Sequence, residues 1–257
     1  FQLYPYSSLI NPSFNDSMQI SNYQNIFLPF HYPQPASIST NTGRKKNKKI
    51  TTTKKKSKSK ISSKSPSIKD VKRLADKGDI ESMIKYGVML REGDGIKIDE
   101  RESVKYFKRA ADKGNAQGMA EYALTLVQND WIECNKTEVV EYCKTAVEMG
   151  NTDALRVYGV IFYRGFGVPK NSSEAVRYYK MAIDKGNTDA MYNYANMLQQ
   201  GDGIPKNSSE AVRYLKMAID KGNTIAMNIY AIMLRKGDGI PKNSSEAVRY
   251  YKMAIDK

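Results

Sequence analysis

The chain has 257 residues, 40% of them hydrophobic, with a formal net charge of +14. That length suffices for one or two domains with a packed core, and no run of 18 apolar residues is present to span a membrane. One histidine, His31, and two cysteines, Cys134 and Cys143, argue against a disulfide framework, a metal site and a Ser–His–Asp or Cys–His catalytic set.

Residues 1–43 mix Tyr, Phe, Pro, Asn, Gln and Ser without a steady apolar period, and prolines at 5, 12, 29, 33 and 35 interrupt any long helix. The expectation is a disordered segment, with IFLPFHY (26–32) as a short apolar stretch, an idle tail or a docking peptide. Residues 44–66 hold most of the charge excess. The first 66 residues carry 11 Lys and Arg against the lone Asp16, and the remainder is close to balanced. The clusters Arg44, Lys45, Lys46, Lys48, Lys49 and Lys54, Lys55, Lys56 match the composition of a nuclear-import signal or a phosphate-binding patch, and equally that of a solvated basic linker. Binding of nucleic acid would rest on this segment, since the rest of the chain lacks a strong positive field.

From residue 67 an interval of 36 governs the sequence. KNSSEAVRY occurs at 170–178, 206–214 and 242–250. Gly78, Gly114, Gly150, Gly186 and Gly222 keep the same spacing, as do Tyr86, Tyr122, Tyr158, Tyr194 and Tyr230. A fixed period of this size marks a stacked repeat architecture.

One period reads as two helices. Asn171 stands at the N-cap position with Glu174 three residues on, a capping-box pattern shared by Ser67 and Asp70, Asp99 and Glu102, Asn135 and Glu138, Asn207 and Glu210, and Asn243 and Glu246. Ala175, Val176, Tyr179, Ala182 and Ile183 then form one apolar stripe at helical spacing. Gly186 ends this helix and Asn187 caps a second, whose stripe is Ala190, Met191, Tyr194, Ala195 and Leu198. GDGIPKN (201–207) reverses the chain. Six helices of the first kind and five of the second are expected, an all-α, α/α superhelical solenoid over 67–257, truncated at its C-terminal end. The chain opens on Phe1 and stops within a period, and is read as a fragment of a longer protein. One period departs from the pattern: NDWIECN (129–135) replaces the glycine loop and puts Trp131 where Gly203 stands two periods on.

The Ala-x3-Tyr-Ala/Gly-x2-Leu helix, the Gly-x-Gly-Ile/Val-Pro loop and the Glu-Ala-x2-Tyr-Tyr-x-Met-Ala helix ending in Lys-Gly resemble the Sel-one-like repeat family, a branch of the tetratricopeptide-like helical solenoids. The resemblance covers 67–257. It implies a non-catalytic adaptor that binds other proteins, sometimes fused to an enzyme domain such as a kinase. It implies no cofactor, and it places the second helices on the concave face of a right-handed arc.

Comparison of 190–203 with 226–239 separates scaffold from surface. The copies differ at offsets that occupy roughly a third of the helix circumference, and the unchanged positions cover the opposite side. On an outward-facing second-helix surface the varied positions form a groove for peptide or helix segments: Ile84, Val88 and Arg91; Leu124 and Val127; Arg156, Val160 and Tyr163; Asp189, Tyr192, Asn196 and Gln199; Ile225, Asn228, Ile232 and Arg235. The remaining readings are a regulatory or substrate-binding arm of a larger enzyme, a nuclear or nucleic-acid adaptor acting through 44–60, and neutral drift on a solvent face. The scarcity of cysteine favours a reducing compartment, cytoplasmic or, by the basic clusters, nuclear. The tyrosines, 18 in all, fall mostly at repeated scaffold offsets and are assigned to packing. The Asn-x-Ser/Thr sequences at Asn135, Asn171, Asn207 and Asn243 coincide with helix caps.

Overall fold

The computed structural model describes residues 66–256 except position 130. All lie in one compact unit of the chain. The readings of residues 1–43, of His31 and of the basic clusters between Arg44 and Lys56 fall outside the described residues.

Eleven helices and no strand occur among the described residues. The first helices of each period are α1 (Ile68–Asp76), α3 (Glu100–Asp112), α5 (Lys136–Glu148), α7 (Ser172–Asp184), α9 (Ser208–Asp220) and α11 (Ser244–Ile255). The second helices are α2 (Ile80–Glu92), α4 (Ala116–Gln128), α6 (Thr152–Arg164), α8 (Thr188–Gln200) and α10 (Thr224–Lys236). The count and the all-α solenoid agree with the period. Each helix packs on its neighbours in the chain, and α4 also packs on α2 and α6.

Local chemistry sets the helix ends. Asn171 Oδ1 accepts the Glu174 N–H at 3.1 Å, and Asn187 Oδ1 accepts the Ala190 N–H at 2.8 Å. Such a cap contributes about 1 kcal/mol. The reciprocal half of the capping box does not form as the spacing suggests. The backbone N–H groups of Asn171, Asn207 and Asn243 instead donate to the carbonyls of Phe162, Leu198 and Leu234 in the preceding second helix, at 2.8–2.9 Å. Closing the glycine loop uses the donor that the glutamate would have taken. Glu174 is held by Arg177, at 2.7 Å, and Glu210 by the side-chain amide of Asn207, at 3.1 Å.

The apolar stripes form the core, in which each second helix packs on the first helix of its own period and on that of the next. Ala175, Tyr179 and Ala182 of α7 and Ala190, Met191, Tyr194, Ala195 and Leu198 of α8 are buried, while Val176 and Ile183 are half-buried. A second helix approaches the next first helix closely at Gly159, where an added Cβ would lie 2.6 Å from the Tyr179 ring. Gly87 stands against Phe107 in the same way. One period on, position 195 holds alanine and position 215 leucine, so small and large residues trade volume between a second helix and the next first helix. The repeated tyrosines form a ladder of edge-to-face pairs. Tyr86–Tyr106, Tyr158–Tyr178, Tyr194–Tyr214 and Tyr230–Tyr250 have ring centroids 4.7–4.9 Å apart, and Tyr122–Tyr142 5.6 Å. Each pair contributes about 0.5–1.5 kcal/mol beyond its buried area. Packing thus accounts for ten of the tyrosines among the described residues.

The divergent loop has a steric cause. Gly203 has φ +72°, and a Cβ there would fall 1.9 Å from Ser172 Oγ, so the loop can press on the preceding first helix only without a side chain. Trp131 cannot occupy that place. Helix α4 ends on Asn129 with φ −119°, and the Ile132 N–H donates to the Asn129 carbonyl at 3.0 Å. Trp131 is 53% exposed. Its indole N–H donates to Asn129 Oδ1 at 3.2 Å, and the Arg101 guanidinium lies 5.2 Å from its ring centroid.

Candidate functional site

The second helices carry the chemistry that varies between periods. Their N-cap asparagines have two tasks. While Oδ1 caps its own helix, the side-chain N–H of Asn187 reaches back one period to Asp153 Oδ1 at 3.0 Å, and that of Asn223 reaches Asp189 Oδ1 at 2.8 Å. Asn151 makes the corresponding bond to Gln117 Oε1 at 2.9 Å. A latch thus joins successive second helices at their N-terminal ends. Near the C-terminal ends, the Tyr163 hydroxyl donates to Asp202 Oδ2 at 2.6 Å and Gln199 Nε2 to Asp238 Oδ2 at 3.1 Å. The bond from Tyr163 and the charge of Lys170 hold the Asp202 carboxyl below the usual range, against the opposing effect of burial.

Between these two lines of bonds lies a cleft of about 200 Å³, lined by Arg91, Ala120, Glu121, Leu124, Asp153, Arg156, Val157 and Asp189 from four successive second helices. Arg91 pairs with Glu121 and lies 3.5 Å from Thr125 Oγ1. Glu121 and Asp153 also receive the Gln117 amide, at 2.9 and 3.4 Å. Arg156 is 8% exposed. Its Nε has no hydrogen-bond partner, and Asp189 Oδ2 stands 3.9 Å from it.

Of the positions assigned to an outward groove, Arg91, Leu124, Arg156 and Asp189 come together in the cleft. Ile84, Val88, Gln199, Ile225, Asn228 and Ile232 are half-buried and Arg235 is exposed. At the other five the expectation of an open surface is corrected. Val127, Val160, Tyr163, Tyr192 and Asn196 are buried, the last two at 8% exposure. Neighbouring helices cover these positions in the middle of the stack: α4 packs on α6, and α4, α6 and α8 each pack on the first helices at both sides. Arg156 is buried as well and lines the cleft.

Glu121, Asp153, Gln117 and the cap amides were not identified from sequence. One signal was available: positions 81, 117, 153 and 189 hold Glu, Gln, Asp and Asp at a single offset, visible only when more than two periods are aligned. No group of three or more His, Cys, Asp and Glu that could hold a metal ion occurs among the described residues. Cys134 and Cys143 are free thiols, both pushed up by burial and so poor thiolates. Among the described residues no helix is long and apolar enough to cross a membrane.

The model of the Sel1 repeat family matches residues 80–115, 152–187, 188–223 and 224–257, together more than half of the chain. The unmatched interval, 116–151, contains α4, the Trp131 loop and α5. A search of curated protein sequences finds no significant match. Among solved structures, a Sel1 repeat protein from Oxalobacter formigenes is similar, with 26% identity, a TM-score of 0.60, and coverage of 73% of this chain and 75% of that one. A putative Sel1 repeat protein from Klebsiella pneumoniae has 18% identity and a TM-score of 0.53, covering 73% and 91%. The protective antigen c5321 of uropathogenic Escherichia coli has 20% identity and a TM-score of 0.52, covering 74% and 41%. The last two likenesses concern the fold alone.

Proposed function

The chain belongs to the Sel1 repeat family, whose members are generally protein-interaction scaffolds, and on that premise we propose that this stack is a non-catalytic adaptor holding a segment of another protein along its second helices. The observation that carries the reading is the cleft shared by α2, α4, α6 and α8. At about 200 Å³ it is smaller than the roughly 300–1,000 Å³ of small-molecule sites, and it suits one anchoring side chain. Its mixed lining of Arg, carboxylate and aliphatic groups fits a peptide anchor. Further along the same face, Ile225, Asn228 and Ile232 of α10 are half-buried and Arg235 is exposed, which suits the rest of an extended segment. A complete interface would bury on the order of 1,200–2,000 Å².

Site-specific photocrosslinkers test the proposal. Placed at Leu124 and Ile232 they join the chain to a partner protein in cells. Placed at Arg177 and Arg213, exposed on first helices, they give none. Equal or reversed yields from the two faces would contradict it.

A further inference from the structure

Arg156 occurs in one period only. The equivalent positions hold Ile84, Ala120, Tyr192 and Asn228, so the stack does not need a cation there. The side chain is nonetheless almost fully buried, lines the cleft, and leaves Nε without an acceptor. A buried charged donor without a partner is rare in folded proteins, because it has given up its water without replacement. The other charged groups of the cleft are matched. Arg91 pairs with Glu121, Asp153 accepts from Asn187 and Gln117, and Asp189 Oδ1 accepts from Asn223. One buried atom remains unmet, the Nε–H donor of Arg156; Asp189 Oδ2, on a half-exposed side chain, stands 3.9 Å from it, beyond hydrogen-bonding distance.

The charge balance narrows what can join them. Two arginines face three carboxylates in the lining. An anionic group would add to the existing negative surplus, and a cationic group would leave the Arg156 donor unmet. The need is for a neutral group with one acceptor and one donor. In a trans peptide bond the C=O and N–H point to opposite sides, so one main-chain amide cannot face both atoms. A primary carboxamide presents its oxygen and one N–H along the same edge.

We propose, resting on the reading of this face as a peptide-binding surface, that the cleft is a carboxamide pocket. An Asn or Gln side chain of the partner segment accepts from Arg156 Nε–H and donates to Asp189 Oδ2. The buried donor is satisfied, the carboxylate oxygen exchanges solvent for an N–H, and no charge is added.

The test uses the whole chain and four blocked tripeptides, acetyl-Ala-X-Ala-methylamide with X as Gln, Glu, Lys or Ala, followed through the NMR signal of the Arg156 Nε–H, assigned by its disappearance in Arg156→Lys. The Gln peptide moves this signal to saturation, and the other three need concentrations at least about tenfold higher. Asp189→Leu, at a half-buried position, weakens the Gln response by a similar factor. A stronger response to Glu overturns the proposal in favour of an anion site, one to Lys in favour of a cation site, and equal responses to all four in favour of main-chain binding. No response to any shows that water alone satisfies the guanidinium, and also overturns it. A chain that crosslinks to partners from Ile232 but ignores the Gln peptide loses the carboxamide pocket and keeps the scaffold function.

Discussion

The middle and the ends of the second-helix face share a scaffold but offer different surfaces. In α6 and α8 the varied positions are covered: Val160, Tyr163, Tyr192 and Asn196 are buried. In α2 and α10 the corresponding positions Ile84, Val88, Asn228 and Ile232 are half-buried, and among the described residues no second helix precedes α2 or follows α10. Variation between copies therefore has two sources. Some of it tunes the contact between successive periods, and some of it is left over for a partner. A position that differs between repeats is not thereby a binding position.

The largest expected effect breaks this contrast directly. Tyr192→Asp, which buries a carboxylate in the middle of the stack, costs about 3 kcal/mol or more, while Ile232→Asp costs about 1 kcal/mol. Urea unfolding of the two variants measures the difference. Next is Gly159→Ala. Its Cβ falls on the Tyr179 ring and 3.2 Å from the Ala175 carbonyl, at a cost of about 1–3 kcal/mol. Adding Tyr179→Leu recreates the combination that positions 195 and 215 already hold and recovers most of the loss, so the double-mutant cycle is strongly non-additive.

The latch gives a smaller effect. Asn187→Ala loses both the cap and the amide to Asp153, about 1–2 kcal/mol. Asn187→Ser keeps the cap and loses only the reach between periods, about half of that. The smallest effect is a titration. Burial pushes the Tyr122 phenol up to about 12 from its ordinary 10.0. Its contribution to stability is complete below pH 10 and is lost as pH rises through 12. The phenolate absorbance of the chain minus that of Tyr122→Phe should therefore show a single step near pH 12, and a step near the ordinary 10.0 would contradict it.

The repeat domain was legible in the sequence because each helix end is decided locally. An asparagine with a free backbone N–H two or three residues on, and a glycine where φ must be positive, act within one period. The close approach at Gly87 and Gly159 was legible too, from small residues recurring at one offset. Less was legible at the site. Whether Asn187 reaches Asp153, or Tyr163 reaches Asp202, depends on how one period sits on the next, and no single period contains that information. Trp131 shows the same limit. Its position ruled out the glycine turn, but not where the ring would lie, which follows from Arg101 in the preceding first helix.

Thiol accessibility tests the contrast most directly. In a background with Cys134→Ser and Cys143→Ala, single cysteines at positions 124, 192, 196 and 232 are labelled with a small maleimide. The account predicts prompt labelling for Leu124→Cys and Ile232→Cys. For Tyr192→Cys and Asn196→Cys it predicts labelling slower by about a hundredfold or more, because reaction there requires the stack to open locally. Comparable rates at all four positions would show that the middle of the face is as open as its ends, and would contradict the account.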